Sequence, residues 1–188
     1  MRVRHGGMRV KTRDYGRIFF IFCMAGFLLG IMYTNIMSGQ YLSSGGMFSE
    51  YYMSQYLHTE IQAEEYFWYI LPIRILPLVL LALAGKIKFR RWAAAGVLAW
   101  TGFLLGILFT AAIMQLGIKG ILVCLAALLP QGIFYAAGYG LVLWHLYLYP
   151  QIRWNLTKTI AVAAVILVGI ILECYTNPIF MKIVLKTI

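Results

Sequence analysis

Charge is scarce in this chain, and negative charge is scarcest. Of 188 residues, 12% are Asp, Glu, Lys or Arg and only six are acidic, while 62% are hydrophobic. With a mean hydropathy of +0.81, there are too few polar side chains to cover a water-soluble domain. The shortage of carboxylates also removes chemistry. No Asp and no second deeply placed Glu lies in the apolar segments, so paired carboxylates for acid-base catalysis have no candidates. HExxH, G-x-S-x-G, P-loop and dinucleotide fingerprints are all missing, and His5, His58 and His145 are scattered over different segments. The three cysteines, Cys23, Cys124 and Cys174, form no CxxC pair and have no His at metal spacing. Buried thiols are the plain reading, although a Cys124 to Cys174 bridge could form on an oxidising side of a membrane. Neither an enzyme nor a cofactor is expected.

What the chain does have is long apolar runs separated by basic loops, the pattern of an all-α polytopic membrane protein. A helix needs about 20 apolar residues to span the hydrocarbon core. Five such spans are expected, at about 18–37, 66–84, 92–115, 121–144 and 159–175, in a single membrane domain of residues 1–188 with an external insert at 38–65. Sixteen Lys and Arg give a net charge of +10, and they are segregated. Arg2, Arg4, Arg9, Lys11, Arg13 and Arg17 precede the first span, Lys86, Lys88, Arg90 and Arg91 follow the second, and Arg153 and Lys158 follow the fourth. Lys119, Lys182 and Lys186 fall on the other side. The positive-inside rule then puts the N-terminus in the cytoplasm and the C-terminus outside. It also explains the charge without nucleic acid, for which no binding module remains once the spans are removed.

Residues 38–65 carry Glu50, Glu60, Glu64 and Glu65 and no Lys or Arg. Phe48, Tyr51, Tyr52 and Tyr56 recur there at roughly helical spacing, which predicts an external helix lying at the interface. Helix two contains Arg74 between Pro72 and Pro77, two residues that kink it for packing or make a gate. At about 12 Å from the outer end of that helix, Arg74 either snorkels to the interface or pairs with Glu173 near the outer end of helix five; use of the charge in transport is a third reading. Asn177 and Pro178 are expected to end helix five and leave an apolar tail.

Small residues at four-residue spacing mark seams for packing or for a homo-oligomer: Gly26 and Gly30; Gly102, Gly106 and Thr110; Gly132, Ala136 and Gly140. The hexapeptide GFLLGI occurs at 26–31 and again at 102–107. Because the flanks do not follow, this repeat reads as coincidence rather than duplication.

The most informative stretch is GFLLGILFTAAIMQLGIKGILVCLAALLPQG, residues 102–132. Two apolar helices meet at a tight turn around Gln115, Gly117, Lys119 and Gly120, and Pro130 with Gln131 interrupts the second, where freed backbone groups must find partners inside the protein. A turn so short forces antiparallel neighbours. Gln115 and Lys119 are candidates to bind partner elements or lipid headgroups, or Lys119 simply anchors the turn at the interface.

The series Gly102, Gly106, Gln115, Gly117, Lys119, Gly120, Pro130 and Gln131 resembles the stage II sporulation protein M family of bacterial multi-pass membrane proteins. The likeness is close over 102–131 and rests on topology and length elsewhere. It implies a non-enzymatic scaffold in the bacterial cell membrane that anchors peptidoglycan hydrolases during spore engulfment. The Tyr-rich external insert has no counterpart in that pattern. The competing expectation is a small permease subunit working with a separate ATPase, with Arg74, Glu173 and the Pro130 break lining a path.

Overall fold

A computed structural model describes residues 9–37, 46, 48–85, 90–148 and 154–187. Residues 38–45, in the first part of the polar insert, and the basic loop positions 86–89 and 149–153 lie outside the described residues, as do Arg2 and Arg4. All regular structure among the described residues is helical: α1 (Arg9–Ile36), α2 (Glu50–His58), α3 (Ala63–Ala84), α4 (Arg90–Leu116), α5 (Ile118–Leu128), α6 (Gln131–Leu148), α7 (Leu156–Ile171), a π turn (Leu172–Thr176) and α8 (Asn177–Thr187). Four helices are long and apolar enough to cross a membrane, and the bent pair α5 and α6 makes up to five. That content marks the chain as a multi-pass membrane protein.

Two expected elements take a different form. Helix four is not one continuous helix over 121–144: α5 and α6 meet at 62° across Leu129 and Pro130, because Pro130 offers no N–H to continue the ladder. Helix five does not stop at Tyr175. It passes through the π turn and continues to Thr187, with Asn177 N–H bonded to Leu172 O, five residues back. Pro178 would break an α ladder, and the π turn falls just where the hydrogen-bond register must change. The tail is therefore a helix in line with its span.

Two seams hold the helices together. The first joins α1 and α4, which run parallel. A Cβ placed on Gly26 would overlap Ala99 O and one on Gly30 would overlap Phe103 O; reciprocally, Gly102 meets Cys23 O and Gly106 meets Phe27 O. Each glycine contacts the residue three before the matching glycine of the other helix, so the seam has local two-fold symmetry. The repeated GFLLGI is thus no coincidence of vocabulary: its two copies face each other. Small residues allow this approach, and dispersion between backbones replaces the hydrophobic effect in lipid.

The second seam joins α3, α6 and α7 around Ile70, Leu81, Leu143, Leu146, Ile166 and Ile170, with Ala94 of α4 and Cys174 of the π turn. Helices α6 and α7 are antiparallel, Gly138 fitting against Ile166 and Gly169 against Tyr135. The expected stripe of Gly132, Ala136 and Gly140 is not this seam. Ala136 is exposed, and a Cβ on Gly140 would meet nothing within 4 Å. Gly138, off that stripe, is the glycine that faces a neighbour. Cys124 and Cys174 are separate, buried free thiols.

Candidate functional site

Arg74 is the twelfth residue of α3, about 16 Å from its start. The helix begins three residues earlier than the apolar run suggests, so Arg74 lies at mid-helix. A charge there is expensive in hydrocarbon, about 2.5–3.5 kcal/mol on insertion scales. The cost is met by a partner. Arg74 Nε donates to Glu173 Oε2 at 3.0 Å and Nη2 donates to Glu173 Oε1, a bidentate pair of the kind that planar guanidinium favours. Of the readings that sequence left open, pairing is the one found.

The pair is enclosed by two tyrosines one turn apart on α6. Tyr135 O–H donates to Glu173 Oε2, and the Arg74 guanidinium lies 4.8 Å from the centre of the same ring, within cation-π range. Tyr139 O–H donates to the backbone carbonyl of Arg74 at 2.6 Å. Pro77 has no N–H for the carbonyl of Ile73, four residues back; Tyr139 adds a side-chain donor one residue further on, at Arg74 O. Glu173 is only 7% exposed, whereas the Arg74 side chain keeps 37% of its surface. The carboxylate is sealed and the guanidinium closes the site.

Glu173 stands in the π turn, and Asn177 follows at its end. The Asn177 carboxamide donates to Ala126 O at 3.1 Å and Ala127 O at 3.0 Å, with Leu129 O at 3.4 Å. These are the last carbonyls of α5, left without intrahelical donors by the break. Gln131 Nε2 also donates to Ala127 O. The interruption at Leu129 and Pro130, a cis peptide, is therefore satisfied inside the protein, as an apolar surrounding demands. Gln131 is 5% exposed, and its Oε1 is buried without a hydrogen-bond partner among the described residues. Asn177 had been read only as a helix stop; its reach across 50 positions to α5 has no local signal in the sequence.

The remaining sequence-predicted positions fall into separate places. Gly102 and Gly106 belong to the α1 seam. Gly117 is the whole link between α4 and α5, at φ +63°, a conformation that costs a residue with a Cβ. Gly120 lets the α5 backbone close on Ala112, and Cys124 Sγ lies 3.8 Å from Leu108 O, so α5 folds back along α4. Gln115 is half-buried and Lys119 exposed at this turn. Thus the hinge residues and the Arg74 to Glu173 pair are not one site. They are joined through α5 by Asn177.

Outside the bundle, α2 and α8 lie together against α5. Lys182 Nζ donates to Thr59 O, at the C-terminal cap of α2, at 2.7 Å. Phe48, Tyr52 and Tyr56 line the crevice between these helices, although Tyr52, like Tyr51, keeps much exposed surface. The helical spacing of Tyr51, Tyr52 and Tyr56 is realised in Glu50–His58; the docking of that helix on a C-terminal one has no signal in the spacing. No family model, curated protein or solved structure matches the chain.

Proposed function

We propose that this protein is a non-enzymatic membrane scaffold of the kind the stage II sporulation protein M family provides, organising peptidoglycan-remodelling partners at the outer face of a bacterial cell membrane during spore engulfment. In this reading the chain spans five times, α5 and α6 together making the fourth span, with the N-terminus cytoplasmic and the C-terminus external. The observation that carries it is the way the outer layer is fastened. Helices α2 and α8 are tied to each other by Lys182 and Thr59, and α8 is tied to the broken span by Asn177. A fixed outer platform on a packed helical base suits a protein that positions others. The buried pair supports the same reading, since a bidentate Arg74 and Glu173 closed over by Tyr135 is built to stay in place.

The 62° break between α5 and α6 favours a second reading, a permease subunit, because discontinuous helices line the substrate sites of many transporters. Crosslinking in the native membrane followed by identification of the attached proteins separates the two. Wall hydrolases attached through α2 or α8 are expected for the scaffold. Recovery of an ATPase attached through the segment between α6 and α7, with no wall enzyme, replaces it with the permease.

A further inference from the structure

The crevice beneath α2 is a cavity of about 610 Å³ lined by Phe48, Tyr52 and Tyr56, by Val123 and Ala127 of α5, and by Met181 and Leu185 of α8, with Leu108 of α4 at its floor. Its size is that of a ligand pocket, for which about 300–1,000 Å³ is usual. Its walls are long apolar stripes. Tyr52 and Tyr56 are four residues apart on α2, as are Val123 and Ala127 on α5 and Met181 and Leu185 on α8, so each of these pairs lies on one face of its helix, and Phe48 extends the first from just before α2. A slot walled by parallel apolar stripes fits a hydrocarbon chain better than a compact polar solute.

The polar groups sit at the edges. Lys119 is exposed and one turn before Val123 on the same face of α5. Lys182 adjoins Met181 and spends one hydrogen bond on Thr59 O; an ammonium has three to give. The Tyr56 phenol is a donor at neutral pH, as any tyrosine is, and burial pushes its pKa further up. Glu60, Glu64 and Glu65, on the turn after α2 and at the start of α3, are exposed. None lines the cavity.

We infer that this crevice is a phospholipid site: one acyl chain of an anionic lipid lies between α2, α5 and α8, and its phosphate is held by Lys119 and Lys182. The chain buries apolar surface that the three helices leave open, and the two ammonium groups discriminate for negative charge. This inference requires only that the protein reside in a bilayer, and it is independent of which partners the outer layer carries.

The test uses the full chain in mild detergent, equilibrated with equal amounts of phosphatidylglycerol and phosphatidylcholine and read by native mass spectrometry. One retained phosphatidylglycerol is expected, preferred by about fivefold if each lysine contributes roughly 0.5 kcal/mol. The double variant Lys119→Gln and Lys182→Gln should retain both lipids alike, and Ala127→Phe should retain neither while melting as the parent does. If Ala127→Phe does not fold, Met181→Phe fills the same slot from α8. Phosphatidylglycerol with a photoactivatable acyl chain should label peptides containing Tyr52, Val123 or Met181. Equal retention of the two lipids by the parent overturns the site. So does undiminished lipid on a folded, filled variant, or labelling confined to the outward face of α3. Crosslinks between copies through Tyr52 would put a second chain in the crevice instead.

Discussion

The α1 and α4 seam and the α3, α6 and α7 seam solve the same problem by opposite means. In lipid, apolar side chains gain little by turning from acyl tails to one another, so helices must associate through close packing or through polar contacts. The first seam uses close approach: four glycines against four backbone carbonyls. The second spends its close contacts on an ion pair, two tyrosine hydroxyls and an asparagine. Packing of the first kind depends on what is missing from the side chain. The second kind depends on each partner being present, since a buried group that loses its partner is worse than none.

The largest expected effect falls on the polar seam. Arg74→Ala leaves Glu173 charged and buried, and should cost about 3–5 kcal/mol in a detergent unfolding titration. The double variant Arg74→Ala with Glu173→Ala should be far less damaged than the two single losses added together; additive losses would mean that the contact contributes nothing. Next comes the glycine seam. Gly102→Val drives side-chain atoms into the Cys23 carbonyl and should cost about 1–3 kcal/mol or more, as overpacking does. A cysteine pair introduced across α1 and α4 should then crosslink more slowly, while Gly140→Val leaves both stability and crosslinking unchanged. Equal effects at Gly102 and Gly140 would dissolve the distinction between a seam and a spacing.

A smaller loss is expected for Asn177→Leu, which uncaps the end of α5. At roughly 0.6 kcal/mol for each interhelical hydrogen bond in a membrane, two good bonds give about 1 kcal/mol, and hydrogen exchange should accelerate at Ala127 to Ile133 before it does elsewhere. Smallest is Tyr139→Phe, with about 0.6 kcal/mol for the single bond to Arg74 O. A loss there as large as that of Arg74→Ala would make the tyrosine, not the salt bridge, the centre of the seam.

Much of this comparison is legible in the sequence because it rests on cost. A charge at Arg74 in an apolar run demands a partner, and Glu173 is a carboxylate set in another apolar run. Gly117 and the proline at 130 announce a turn and a break for local backbone reasons. What sequence spacing does not carry is the presence of a neighbour. Gly140 shares the four-residue spacing of Gly102 and Gly106, yet a Cβ there would meet nothing within 4 Å, and Gly138 has no stripe yet meets Ile166. The Asn177 and Pro178 stop was misleading for a similar reason. Local propensity says that a helix ends there, but a π turn changes the hydrogen-bond register and the asparagine finds its acceptors on another element.

The pairing of the two GFLLGI segments also sets an order of events in time. α1 leaves the ribosome first, and its matching face on α4 is still unmade. At about 5–20 residues per second, the roughly 75 residues between Gly26 and Gly102 take on the order of 4–15 s to synthesise. Throughout that interval the glycine face of α1 lacks its α4 partner, and an α1 from another nascent chain offers it the same hexapeptide. Correct assembly is then a competition between translation and encounter, won more often when elongation is fast and neighbouring copies are few.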